Sequence, residues 1–187
     1  MAADRIILHS DANSFFASVE EALNPSLKNA PMAVCGDPQN RHGIILAKNQ
    51  LAKKYKIQTA ETIWQAKQKC PCLTLVSPHY EEYAKMSMAL NKIYLSKTDL
   101  VEPFGIDESW LDVTNSAHLF GSGKFIADSL RKEVKESLGI TISVGVSFNK
   151  VFAKLGSDYK KPDATTEITR ENMRQMVWGM PVESLIF

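Results

Sequence analysis

Three carboxylates in the 187-residue sequence could do chemistry together: Asp11, at the end of the apolar run RIILHS, and the adjacent pair Asp107-Glu108, inside LVEPFGIDESWLDV. The end of one strand and the turn between two later strands can be neighbours in an antiparallel sheet. Adjacent residues of a regular strand point to opposite faces, so Asp107 and Glu108 converge only if the backbone turns there, which Gly105 makes easy. Oxygen ligands without His or Cys select a hard cation such as magnesium or manganese. Magnesium takes one or two protein carboxylates and completes its shell with water and substrate phosphates. Two such ions about 3.5–4 Å apart can activate an attacking hydroxyl and neutralise a leaving phosphate. By spacing alone, a solvated Asp-Glu pair in a hairpin is the simpler reading.

The other reactive side chains are less organised. Cys35, Cys70 and Cys72 are an odd number without a second matching pair, which supports neither a disulfide framework nor a four-ligand zinc site. His9, His42, His79 and His118 are scattered without ligand spacing and are read as ordinary polar residues. Net charge is only +1, but it is unevenly spread. Between Lys28 and Lys69 eight basic residues, among them Arg41 and Lys48, face two acids, Asp37 and Glu61; from Glu81 to Glu136 ten acids face seven bases. One region suited to phosphates and another suited to cations would give this pattern, and so would a solvated lysine face.

The elements that must position these groups follow from hydrophobic periodicity and breakers. Arg5 to Ser10 reads as a strand, with Asn13 capping a helix whose Phe16, Val19, Glu20 and Leu23 recur at helical spacing. MAVCG and IILA read as a hairpin joined by DPQNRHG, and helices are expected at 49–55 and 63–69. A strand at 73–76 and an amphipathic helix at 81–96 follow. Strands at 100–104 and 110–113 then flank Gly105 to Glu108, before a helix at 124–138, an apolar strand at 140–146 and a helix at 149–159 that Pro162 ends. With 16–77 set aside, the remainder has the strand-helix-strand-strand-helix-strand order of a ferredoxin-like split unit. The fold class expected is α+β: a split βαββαβ sheet with helices on one face, interrupted by a small α/β insertion.

No apolar run approaches the roughly 20 residues that span a bilayer, and the amino terminus lacks a signal-peptide layout, so no membrane association and a cytoplasmic location are expected. The sequence ends in a new helix from Glu171 and the apolar tail MPVESLIF, which reads as the start of a truncated further domain.

The wording of the motifs adds a resemblance. Asp11-Ala12-Asn13-Ser14-Phe15-Phe16-Ala17-Ser18-Val19-Glu20 resembles the opening motif of the Y-family translesion DNA polymerases, the DNA polymerase IV branch with its impB/mucB/samB relatives in particular. Gly105 to Asp112 (GIDESWLD) resembles their second metal motif; Ser147 to Lys154 (SFNKVFAK), followed by Lys161-Pro162, resembles the third. The resemblance runs from Arg5 to the chain end. It implies a palm over 1–15 and 78–168, fingers over 16–77, and the start of a thumb over 169–187.

It also implies roles. Asp11, the main-chain carbonyl of Ala12, Asp107 and Glu108 would hold two magnesium ions, with manganese as an alternative, and the carboxylates would be catalytic. Phe15 and Phe16 would lie at the nucleotide, Phe16 as the steric gate beneath the incoming sugar, its ring filling the space a ribose hydroxyl needs, and Phe15 nearer a core role. Gln50, Lys53 and Lys161 would contact the nucleotide phosphates, and Lys150 and Lys154, on one helix face, would contact DNA. The implied partners are primer-template DNA, a dNTP and, through a missing carboxy-terminal region, a sliding clamp.

The sequence departs from the family in the fingers. Many relatives carry Thr, Tyr and Arg where this chain has Ala47, Gln50 and Lys53, so two hydroxyls and a guanidinium give way to a methyl, an amide and an ammonium, with Lys48 a candidate substitute for the lost charge. Asn13 stands where some relatives have a second Asp. The function implied is template-directed nucleotidyl transfer from dNTP to a primer end in damage tolerance. Two alternatives are another two-metal palm enzyme, such as a nucleotide cyclase, and a non-catalytic DNA-binding or regulatory polymerase-like module. The basic insertion and Phe16 speak against the first; the altered phosphate grip is the best support for the second.

Overall fold

A computed structural model describes residues 4–38 and 43–184 of the chain. Arg41, His42 and the last three residues of the apolar tail lie outside them. The order is β1 (Ile7–Ala12), α1 (Phe15–Leu23), β2 (Met32–Cys35), β3 (Ile45–Lys48), α2 (Gln50–Lys53), α3 (Ile63–Lys69), β4 (Thr74–Val76), α4 (Tyr80–Leu95), β5 (Val101–Phe104), β6 (Glu108–Asp112), α5 (Ala117–Phe120), α6 (Gly123–Leu138), β7 (Ile142–Ser147), α7 (Lys150–Tyr159), β8 (Thr165–Ile168) and α8 (Met173–Val177). Contacts divide the chain into residues 1–13 with 87–187, and residues 14–86, so the division falls inside α4 rather than in the loop before it. Among the described residues no helix is long and apolar enough to cross a membrane.

The first unit is a five-stranded sheet in the order β5-β6-β1-β7-β8. β1 pairs antiparallel with both β6 and β7, and β5 pairs antiparallel with β6. The path β1–α4–β5–β6–α6–β7 is therefore the βαββαβ order of a ferredoxin-like split unit. Its two connecting helices share the Leu8/Ser10 face. The Tyr94 hydroxyl of α4 meets Ser10 Oγ at 2.8 Å, and a Cβ on Gly123 of α6 would fall 2.9 Å from Val146 Cγ1. The opposite face is covered by α7, which lies outside the split unit and whose Ser157 meets His9 at 2.8 Å. Cover on both faces explains why β1 and β7 are buried along their whole length.

α7 can lie so close because of one glycine. A Cβ on Gly145 would stand 1.8 Å from the carbonyl oxygen of Ala153 and 2.5 Å from the nitrogen of Ser157, so only glycine admits the helix here. β8 was not legible in the sequence. Its residues TTEI pair parallel with β7 at the sheet edge.

The second unit is a three-stranded sheet, β3-β2-β4, with β2 antiparallel to β3 and parallel to β4. Its central strand MAVC is buried on both faces. Ala33 and Cys35 join Ile57, Ile63, Ala66 and Cys70 in one core, while Met32 and Val34 pack with Ala17 in another. Asn49 ties the unit together: its Oδ1 accepts from Met32 N and Ala52 N, and its Nδ2 donates to Glu21 and to the Ala30 carbonyl.

One local expectation is corrected. Asn13 does not cap α1. Ser14 is the cap residue, in the left-handed conformation (φ 51°) and without a side-chain cap bond. The Asn13 side chain is committed elsewhere: it donates to Ser143 Oγ and accepts from Thr141 Oγ1 and from the Asp163 amide.

Candidate active site

The β1–β6 pairing sets Asp11 directly opposite Glu108. Pairing of Phe104 with Glu108 leaves Gly105, Ile106 and Asp107 as a three-residue hairpin loop, and Gly105 takes a positive φ of 78° within it. The amide of Ala12, the last residue of β1, donates to the Asp107 carbonyl at 3.0 Å and holds the loop beside Asp11. The structure thus brings Asp11, Ala12, Asp107 and Glu108 to one end of two paired strands.

Two lysines attend these carboxylates. Lys161 Nζ donates to Asp11 Oδ2 at 2.5 Å and also pairs with Asp158 at 2.7 Å; Lys154 Nζ donates to Glu108 Oε2 at 2.6 Å. His9, completely buried, joins them: Nδ1 lies 2.8 Å from Ser157 Oγ, and Nε2–H donates to Glu108 Oε2 at 3.1 Å. In the sequence His9 is marked only by its place two residues before Asp11 on a strand, which puts both on one sheet face. Lys154 is only 9% exposed and is bound to Glu108, where it acts as a counter-charge to that carboxylate. Lys150, one turn earlier, is exposed, pairs with Glu102 and stands 5.1 Å from the Trp110 ring centroid.

Charge in the cluster is unbalanced. Burial pushes the Asp11 carboxyl up; Lys161 opposes this, Glu108 and Asp158 reinforce it, and the net direction is upward. Asp107, which forms no ion pair among the described residues, is pushed to about 6 by burial and by the charges of Asp11 and Glu108. Burial also works against ionised Glu108, but hydrogen bonds from His9 and Lys154 and the Lys154 charge outweigh it and bring the carboxyl to about 2. Burial disfavours the Lys161 ammonium, yet Asp11 and Asp158 hold it above its ordinary 10.5.

An all-oxygen donor set with uncompensated negative charge fits a hard divalent cation. Among the described residues no group of three or more His, Cys, Asp or Glu side chains is placed to hold a metal ion by itself, and lysines pair with two of the carboxylates.

Residues 10–158 match the impB/mucB/samB family. The chain belongs to that family. This impB/mucB/samB chain is 55% identical over 183 residues to DNA polymerase IV of Acetivibrio thermocellus, a match covering 98% of the chain and 46% of that relative. It is 38% identical to DNA polymerase IV 2 of Bacillus subtilis, covering 99% of the chain and 46% of the relative. Among solved structures, the insertion ternary complex of Dbh DNA polymerase matches with a TM-score of 0.89 at 30% identity, covering 96% of this chain and 53% of that one. DinB from Sulfolobus solfataricus matches with a TM-score of 0.89 at 29% identity and the same coverage. The chain thus spans about half the length of the relatives it matches.

The remaining predicted residues of this family chain lie in the unit over 14–86. Phe15 is core, 4% exposed, while Phe16 is half-buried and packs with Ala47 against Ala17, Met32 and Val34. Gln50 is exposed, its Nε2 3.5 Å from Ser14 Oγ, and Lys53 is exposed. Lys48 is half-buried and donates to Thr59 Oγ1 at 3.0 Å, and burial lowers its pKa.

The raised Asp107 carboxyl yields a stability prediction. Folding favours its protonated form, so its contribution is fully favourable below the ordinary value of 3.8 and is lost as pH rises through about 6. In metal-free buffer at pH 7.5, Asp107→Asn is expected to stabilise the chain by about 1–2 kcal/mol after allowance for solvent screening, or roughly 2–8 °C in melting midpoint. At pH 4 the gain should vanish. Calorimetry in EDTA at both pH values checks this; equal midpoints at pH 7.5 would contradict it.

Proposed function

We propose that the polypeptide carrying this chain is a template-directed DNA polymerase of the translesion type, transferring nucleotides from dNTP to a primer end. The observation that carries this reading is the placement of Asp11 opposite Glu108, with Asp107 beside them, in a chain of the impB/mucB/samB family. In this reading residues 1–15 and 78–168 form the palm, 16–77 the fingers, and 169–187 begin a thumb.

Asp11, Asp107 and Glu108, with the Ala12 carbonyl, would hold two magnesium ions, manganese being the alternative. When bound, such ions promote loss of the proton from the primer hydroxyl and offset the charge on the leaving pyrophosphate. The residues of the chain do the rest. His9 and Lys154 keep Glu108 ionised and fixed in direction, so it is ready as a ligand at neutral pH. Asp107 gives up its proton more readily when a cation arrives beside it. Lys161 is a mobile point charge that can pass from Asp11 to a nucleotide phosphate. Phe16 would set its ring beneath the sugar, and Gln50 and Lys53 would meet the triphosphate. Lys150, which is exposed, and Lys154, one turn later on α7, would contact DNA.

Primer extension on primed single-stranded templates, undamaged and damaged, tests the proposal with the full gene product. Extension that requires a divalent cation is expected. One observation favours a second reading, a polymerase-like module that binds DNA without extending it: the weak phosphate grip of Ala47, Gln50 and Lys53. Binding of primed DNA with no extension in magnesium or manganese would establish that module instead.

The grip itself can be strengthened. Gln50→Tyr with Lys53→Arg supplies a phenol and a planar guanidinium that bonds phosphate through two N–H groups. The KM for dNTP is expected to fall about tenfold with kcat little changed. An unchanged KM in steady-state kinetics would show that another group already holds the phosphates.

A further inference from the structure

A buried carboxylate in the unit over 14–86 takes no part in the chemistry proposed above. Glu20 lies on α1, four residues after Phe16 and so beside it on the helix, and is only 3% exposed. It receives two donors. The Tyr83 hydroxyl reaches Oε1 at 2.5 Å, and His79 Nδ1–H lies 2.9 and 3.0 Å from its two oxygens. Tyr83 is fully buried, and its ring stacks on that of Phe16 with centroids 4.2 Å apart and planes 12° from parallel. Tyr80 meets Phe16 edge-on at 6.1 Å, and Phe15 tilts against it at 5.9 Å.

A carboxylate is a costly way to fill a buried space, and an apolar side chain of similar size would do it at less cost. What Glu20 adds is direction. As an acceptor held by two donors it fixes the point at which the Tyr83 phenol must end, and so fixes the plane of the ring beneath Phe16. Burial and the hydrogen bond to Glu20 push the Tyr83 hydroxyl well above its ordinary 10, so it remains a donor. A ring can exclude a single hydroxyl only if it cannot yield by a fraction of its own width. Packing on Tyr83 and Tyr80 supplies that stiffness only while Tyr83 is itself held.

We propose that Glu20, held by His79, is a positioning residue for sugar discrimination: through the Tyr83 hydroxyl it fixes the ring on which Phe16 stacks, and Phe16 then cannot swing aside for a 2′-hydroxyl. The inference rests on the reading of Phe16 as the steric gate. Glu20 touches no substrate in this scheme, and its effect is carried entirely by the two rings.

The test is the ratio of kcat/KM for dNTP to that for the matching ribonucleotide, measured with the full gene product. Tyr83→Phe, which keeps the ring and removes one oxygen, and Glu20→Leu are each expected to lower the ratio about tenfold, with kcat/KM for dNTP changed less than about threefold. Glu20→Gln still offers an oxygen to Tyr83 and is expected to retain the parent ratio. In a Phe16→Ala background, Tyr83→Phe and Glu20→Leu should add nothing, because the ring they position is gone. If Phe16→Ala relaxes selectivity while Tyr83→Phe and Glu20→Leu leave it unchanged, the positioning role is overturned and the gate stands. If Phe16→Ala itself changes nothing, the gate reading fails and the positioning role falls with it. Should Glu20→Leu not fold, Tyr83→Phe decides alone.

Discussion

Replacing Asp107 or Glu108 by alanine in the full gene product is expected to cut primer extension by about a thousandfold or more, without unfolding the chain. The two losses have different physical origins. Glu108 is already drawn down to about 2 by His9 and Lys154, so Glu108→Ala removes a preformed anion and leaves the Lys154 ammonium without its partner. Asp107 is half-buried and raised to about 6, so Asp107→Ala removes repulsion from the cluster together with a ligand. Asp107→Ala should therefore melt no lower than the parent in metal-free buffer, whereas Glu108→Ala should melt lower. Extension assays paired with thermal melts separate the effects. Retained extension by either variant would remove that residue from the metal centre.

Phe16→Ala is expected to raise ribonucleotide incorporation on the order of a hundredfold relative to dNTP. The ring is half-buried, stacked on Tyr83 and packed against Ala17, Met32 and Val34, so its truncation opens space on one side of a well-supported wall. In the proposed gate role the ring excludes one oxygen, so the change should be large. Single-nucleotide incorporation with matched dNTP and rNTP measures it, and unchanged selectivity would remove Phe16 as the gate.

Much of the scaffold was legible because its signals are local. The apolar runs around β1 and β7 announced strands, and the helical spacing of Tyr83, Leu90 and Tyr94 announced α4. Gly105 announced a turn that would let Asp107 and Glu108 converge, and it has the positive φ that such a turn requires. What escaped depends on distant partners. β8 is four mixed residues, TTEI, that become a strand only by pairing with β7. Asn13 has the composition of a helix cap, yet Thr141, Ser143 and Asp163, more than a hundred residues away, claim its side chain.

The site shows the same division. The carboxylates are carried by motif wording, but their attendants are not. Lys154 looks like a surface lysine one turn after Lys150 until α7 settles against Gly145 and turns it toward Glu108. His9 reads as an ordinary strand histidine until Ser157 arrives from the same helix. In both cases a tertiary contact made possible by one glycine decides the role, and no local pattern encodes it.

The proposed role of Asp11, Asp107 and Glu108 is that of a divalent-cation centre for nucleotidyl transfer. Its most direct test is binding of Mn²⁺ to this chain with dNTP present, followed by electron paramagnetic resonance at pH 7.5. Saturable binding is predicted, weakened at least about tenfold by Asp11→Asn and by Glu108→Gln. Unchanged Mn²⁺ affinity in both variants would contradict it.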